Sequence, residues 1–408
     1  MGLVLAGGGA RGAYELGVLS VLLPVLERRG ERPCILAGTS VGAINAASAA
    51  ATGHLPAQEA VAVGLARWGE VERAAVIRPL VLRQLPLSAA RYVGEILALP
   101  RVRLSSLLDP SPLRRNLRRW IDWPALHRNV TEGSVECRAV VATTARSGRA
   151  VAFVEGRLGE AVHRSRVIDY VPTVIAEEHV SASAAIPILF PAVRVKEPAG
   201  ARGWYVDGST RLNTPIKPAL DLGAERVVVI GTDAPGAPEK DPGRHDAPPP
   251  DLGDSALQLL HGALVDPLSE DVRRLGEVNA FFADGAQSPG AVRYREIRGK
   301  RPYRRVPYIF IAPRHPGAIG ARADETFHER YGGLKGLRAP DLAVLNRLLG
   351  EESPTHGELL SYLLFDPEFI QALIAMGAED ANAWLTARPE TPWQLDPLDA
   401  FTTPAAVR

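Results

Sequence analysis

The chain has 408 residues, 46% hydrophobic and 23% charged, the proportions of an ordinary globular protein with enough chain for a large core and two or three domains. Its formal net charge of +1 gives no overall pull toward nucleic acid, so no partner of that kind is expected. The two cysteines, Cys34 and Cys137, stand in apolar, strand-like context without metal-ligand spacing; they read as buried thiols of a reducing compartment, and the lack of a basic leader or of a run of about 18 apolar residues leads us to expect a cytoplasmic protein with no signal peptide or membrane span.

Leu3 to Ala6 reads as a short buried strand. Gly7-Gly8-Gly9-Ala10-Arg11-Gly12 follows. Leu16, Leu19, Leu23 and Leu26 then recur at helical spacing until Arg28, Arg29 and Gly30 close the segment. Glycines between a strand and a helix expose bare backbone N–H groups, which suit an anion or an oxyanion. Gly7-x-Gly9-x-x-Gly12 also fits a dinucleotide fingerprint, but that reading needs an acidic residue about 20 positions further on, after a second strand. The second strand, Ile35 to Ala37, ends instead in Gly38-Thr39-Ser40-Val41-Gly42, and an Ala-rich helical run follows. Gly-x-Ser-x-Gly between strand and helix has the form of a nucleophile elbow. Its glycines allow a sharp turn, and Ser40 is held near a helix N-terminus that favours developing negative charge. Ser40 is thus the candidate nucleophile, against the plainer reading of a Gly/Ser turn.

Residues 53–130 are predicted to be largely helical, with breaks at Pro79, Pro86, Pro100, Pro110 and Pro124, an insertion suited to a lid or lipid-facing cap. Within it, Ser111 is the predicted N-cap of a helix that has Pro112 at its first position. Leu113, Leu117, Trp120 and Ile121 share one face; Arg114, Arg115, Arg118 and Arg119 occupy the rest. This fits either a peripheral membrane-surface element or an ordinary cap helix with solvated arginines. Glu136 to Thr144 and Ala150 to Val154 read as a strand pair turning at Ser147-Gly148-Arg149. Trp204 to Val206 is a short strand ending at Asp207-Gly208. A carboxylate there can serve as a base in a cleft or merely make an Asp-Gly turn. Arg226 to Gly231 is another buried strand. A Pro/Gly-rich loop at 234–251, a helical stretch at 252–284, a strand from Tyr308 to Ala312 and helix from Ala339 to Leu385 complete the chain. Arg298, Lys300, Arg301, Arg304 and Arg305 form a second basic cluster, either a contact for anionic headgroups or a charged loop.

The Gly7–Gly12 loop, the Ser40 elbow, Asp207-Gly208-Ser209 and the Ala/Ser-rich segment from Ser181 to Pro191, with Pro187 and Phe190, together resemble the patatin-like phospholipase family over about residues 1–232. Ser209 stands where that family usually has Ala or Gly. The resemblance implies an α/β fold: a mostly parallel central sheet flanked by helices in three α/β/α layers. The catalytic domain would span residues 1–335, including the helical cap at 53–130 and the 234–251 loop, with a helical C-terminal extension at 336–408. It implies a Ser40–Asp207 dyad without histidine and oxyanion donors on the backbone of Gly8, Gly9, Ala10 and Arg11. Gly7, Gly12, Gly38, Gly42 and Gly208 would be the motif glycines. No metal or other cofactor is implied, and the substrate would be a phospholipid or another acyl ester. An acyl-thioesterase or acyltransferase would use the same serine. A Ser-His-Asp triad would draw instead on His261 or on His315, which follows the strand ending at Ala312. A non-enzymatic protein would use the glycine loop to bind a phosphate or nucleotide.

Overall fold

The computed structural model describes residues 1–78, 106, 108–158, 162, 165, 167–234, 262, 268–283, 288–297, 304–332 and 356–398. Pro79, Pro86 and Pro100, nearly all of the 234–251 loop, His261, Arg298, Lys300, Arg301 and the first part of the predicted 339–385 helical stretch lie outside them.

Strand β1 (Gly2–Leu5) leads through a single 3-10 turn (Gly9–Arg11) into α1 (Gly12–Arg28), and β2 (Ile35–Thr39) leads into α2 (Val41–Ala51). The insertion follows as α3 (Ala57–Gly69), α4 (Arg73–Val76), α5 (Ser111–Trp120) and α6 (Trp123–Thr131). Then come β3 (Cys137–Thr144), β4 (Ala150–Gly156), β5 (Ile168–Pro172), α7 (Glu177–Ser183), β6 (Val193–Val195) and β7 (Gly203–Asp207). Short helices α8 (Ser209–Leu212) and α9 (Ile216–Asp221) precede β8 (Val227–Ile230). The chain continues with α10 (Leu268–Phe281), α11 (Pro289–Ile297), β9 (Tyr308–Ile311), α12 (Ala318–Tyr331), α13 (His356–Leu363) and α14 (Pro367–Thr386).

The strands form one sheet in the order β5-β4-β3-β2-β1-β8-β9, with β7 and its partner β6 attached to β3. Pairings β1–β2, β1–β8, β2–β3, β4–β5 and β8–β9 are parallel, whereas β3–β4, β3–β7 and β6–β7 are antiparallel. The sheet is therefore mostly parallel, as expected for strands alternating with helices and covered on both faces. Alternation along the strands divides the core. Leu3, Leu5, Leu36 and Val140 face α1, α2, α13 and α14, while Val4, Ile35, Ala37, Val227 and Val229 face α9 and the following segments.

Helix α1 is the centre of the first layer. The segment Gly9–Arg28 is apolar and long enough to cross a membrane, contrary to the expectation from run length alone, but 67% of its most apolar 18-residue stretch is buried inside the protein. It packs on α3 and α14. Its crossing with α14 is close at two reciprocal points. A Cβ on Gly17 would lie 2.1 Å from the Ile374 carbonyl oxygen, and one on Gly377 would lie 2.2 Å from that of Tyr14. The Tyr14 hydroxyl donates to Asp380 at 2.9 Å, and Arg314 beside β9 holds the other oxygen of Asp380.

In the insertion one expectation changes and one open choice narrows. Helix α5 starts at Ser111 with Pro110 ahead of it, so Ser111 is not the N-cap; the Asp109 side chain accepts the Ser111 amide at 2.9 Å instead. The apolar stripe Leu113, Leu117, Trp120 and Ile121 is buried in the protein core, and Arg114 and Arg118 pair with Glu177 of α7. The stripe is thus already covered by protein and is not free to lie on a bilayer. Helix α6 packs against α2, and Asn129 donates to the carbonyls of Ala50 and Ala51 at the end of α2.

Candidate active site

The sheet register brings Ser40 and Asp207 together. Strand β2 runs parallel to β3 and pairs as far as Thr39 with Val141. Strand β7 runs antiparallel to β3 and takes the next slot, Asp207 with Ala142. The two strands therefore approach head-on along one edge of β3, and their last residues meet. Ser40 follows Thr39 with φ 54° and ψ −123°, a conformation that non-glycine residues adopt only where the surroundings impose it. The imposition comes from close packing of the elbow: a Cβ on Gly42 would lie 2.3 Å from the Leu5 carbonyl oxygen, and one on Gly38 would lie 2.3 Å from that of Gly42. The Ser183 hydroxyl fixes the turn further. It accepts the Ser40 amide at 2.8 Å and donates to the Val141 carbonyl at 2.5 Å.

The Ser40 hydroxyl donates to Asp207 Oδ2 at 2.7 Å. Asp207 Oδ1 accepts the Ser209 amide at 2.8 Å, so the serine at the position where Ala or Gly was expected keeps the turn intact. Gly208 lies tight against β3; a Cβ there would be 2.4 Å from the Val141 carbonyl oxygen. Asp207 is fully buried and Ser40 is 4% exposed. Burial pushes the Asp207 carboxyl up to about 6, partly offset by the hydrogen bonds from Ser40 and Ser209. A carboxylate so raised is a far better base than an exposed aspartate while remaining ionised at neutral pH. Among the described residues the Ser40 side chain bonds to no histidine, and His315 is exposed on the loop after β9.

The glycine loop crosses directly over this pair. Gly7 lies against Ser40, its amide held by the Asn213 side chain at 2.9 Å. The Gly7 carbonyl accepts from Thr232 at 3.3 Å. Gly9 turns with φ 58° beneath α13, where a Cβ would lie 2.2 Å from the Tyr362 carbonyl oxygen; only glycine fits both conditions. Among the described residues, no turn or loop backbone bond from the Gly8 or Gly9 amide is seen, whereas that of Arg11 donates to the Gly8 carbonyl at 3.1 Å. The Arg11 amide, one of the expected oxyanion donors, thus takes part in the turn itself. Its side chain has a different role. The guanidinium is fully buried and reaches Ser361 Oγ at 2.7 Å, Asp233 at 2.8 Å, and the Glu358 carbonyl at 2.8 Å and carboxylate. It also sits 4.3 Å from the centre of the Tyr362 ring. Burial opposes its charge, but Tyr362, Asp233 and Glu358 outweigh that and hold it protonated.

Ser40 and Gly9 open onto a cleft of about 160 Å³. Its walls are apolar side chains of α1 (Leu16, Leu19, Leu23), Ile44 of α2 and Trp68 of α3, with Leu363 beyond α1. Between Leu16 and Glu27, both lining it, α1 advances roughly 16 Å at the usual helical rise. Among the described residues no cluster of three or more His, Cys, Asp or Glu could hold a metal ion.

Residues 3–220 match the family model described as Patatin-like phospholipase. The chain belongs to the patatin-like phospholipase family. No curated protein matches it. A solved structure of VipD from Legionella pneumophila is similar at 15% identity and a TM-score of 0.36, over 95% of this chain and 66% of that one. The chain thus spans just under two thirds of that protein's length. The matched region ends at residue 220, within α9, so Asp233, Glu358, Ser361 and Tyr362 lie outside it. Asp233 has a legible signal, since it follows β8 at the carboxyl edge of a parallel sheet, where ligand-facing residues gather. Glu358 and Tyr362 have none, because His356–Leu363 reads only as one more apolar helix.

Proposed function

We infer that this protein is a serine hydrolase of lipid acyl esters. The observation that carries the reading is the 2.7 Å hydrogen bond from Ser40 Oγ to the buried Asp207 carboxylate at the mouth of an apolar cleft. Asp207 accepts the Ser40 proton as the oxygen attacks the ester carbonyl. The carbonyl oxygen becomes an oxyanion beside the amides of Gly8 and Gly9 and the N-terminus of α2. Asp207 returns the proton to the leaving alcohol, leaving an acyl group on Ser40. Water then attacks that ester with Asp207 again as base, releasing the fatty acid and restoring the hydroxyl. The apolar walls suit an acyl chain, whose burial contributes about 0.8 kcal/mol per CH₂ group.

A fluorophosphonate probe should label wild-type protein at Ser40 and leave Ser40→Ala unlabelled, and only the wild type should release fatty acid from a panel of phospholipids and lysophospholipids. Release of fatty acid by Ser40→Ala at the wild-type rate would defeat the reading. Transfer of the acyl group to an added alcohol in preference to water would favour the acyltransferase instead.

A further inference from the structure

We propose that helix α13, outside the patatin-like region, completes the active site by clamping the oxyanion loop through Arg11. The proposal rests on the hydrolase reading above. Three observations carry it. First, the only turn between Gly9 and α1 contains Arg11, whose guanidinium is fully buried and receives Ser361, Glu358 and Asp233 as acceptors. Second, the Tyr362 carbonyl oxygen fills the space a side chain at position 9 would need, so α13 forms the outer wall against which Gly9 rests. Third, Tyr362 and Leu363 line the same cleft as Ser40. The loop is thus gripped on both sides. Asn213 and Thr232 hold Gly7 from the sheet side, and α13 holds Gly9 and Arg11 from the other.

An oxyanion donor works only if it is fixed before charge develops. Glycine-rich backbone has little stiffness of its own. The four acceptors on Arg11 supply it, because a planar guanidinium with several fixed partners cannot rotate without losing them together. Glu358 and Ser361 are therefore positioning residues that act through Arg11, and they do not touch the substrate. α13 is kept in place by α12, against which it packs so closely that a Cβ on Gly357 would lie 2.6 Å from the Gly320 carbonyl oxygen.

The test uses the full chain and four variants: Ser361→Ala, Glu358→Gln, Arg11→Met, and Arg11→Met combined with Glu358→Gln. Turnover and KM are measured on a short water-soluble ester, and deuterium uptake is followed in the peptide spanning Gly7–Gly12. Ser361→Ala and Glu358→Gln should each lower kcat by about tenfold, with KM changed by no more than about twofold, because a displaced donor stabilises the transition state and not the bound ester. Exchange in the Gly7–Gly12 peptide should quicken in both variants. In the Arg11→Met background, Glu358→Gln should change kcat by less than about twofold, since residues in one network are not additive. Ser361→Ala removes a single hydroxyl, so it remains informative if the charged variants fail to fold. Wild-type kcat and exchange in Ser361→Ala and Glu358→Gln would overturn the clamp, as would full additivity with Arg11→Met. Absence of fluorophosphonate labelling at wild-type Ser40 would instead overturn the hydrolase reading, and the clamp's catalytic role with it.

Discussion

Asp207 lies in a fully buried site where both carboxyl oxygens accept hydrogen bonds, and under the proposed mechanism its protonation links activity to stability. Its carboxyl is raised by burial from an ordinary 3.8 to about 6. Only the carboxylate accepts the Ser40 proton, so kcat on a soluble ester should rise through an apparent value near 6 and level off above it. Stability runs the other way. Between those two values the folded chain binds more protons at this site than the unfolded chain, so this contribution is complete in acid and is lost as pH rises through about 6. Asp207→Asn keeps the shape and the Ser209 hydrogen bond but supplies no base. It should lower kcat by about 10³-fold or more, while its thermal midpoint at pH 7.5 stays at or above that of the wild type. A midpoint well below wild type, or a retained pH step near 6 in the residual activity, would count against this role.

At the scale of elements, the site arises from how strands end rather than from where motifs lie. The strand–loop–helix units at Gly2–Arg28 and Ile35–Ala51 are legible in the sequence because each carries local signals: an apolar run, glycines, then helical spacing. What could not be read is that β7 continues the line of β2 along β3, since a meeting of residues 167 positions apart leaves no local mark. The same holds for Arg11. Its presence in the loop was legible, but its acceptors belong to elements with no distinguishing pattern. The α5 stripe was correctly found as amphipathic, yet composition alone does not say whether protein or lipid covers it. The α1–α14 crossing also left only isolated glycines. Gly377→Ala should push α14 away from the Tyr14 carbonyl and cost about 2 kcal/mol or more. Urea unfolding would measure it, and an unchanged midpoint would mean that the helices separate freely.

For the whole molecule, the cleft runs along α1, with Ser40 at one end and the Glu27–Arg32 ion pair at the other. An acyl chain extending from the nucleophile would pass Leu16 and Leu19 before it reached Leu23. Leu23→Trp should therefore leave hydrolysis of short-chain esters nearly unchanged and depress that of long-chain esters by about tenfold, a loss of contact worth roughly 1.4 kcal/mol. Rates across a series of acyl lengths would show the change as a shortened preference; a uniform loss at every length would place the chain elsewhere.

Arg11 and Ser361 are 350 positions apart in sequence yet share a hydrogen bond beside the nucleophile. On the ribosome, the glycine loop, the elbow and Asp207 all emerge well before the helix that closes over them, while folding proceeds from the N-terminal side. A nascent chain can thus carry both members of the dyad and still lack one wall around them. Ester-cleaving power would then arrive only once that helix has emerged and closed over the loop.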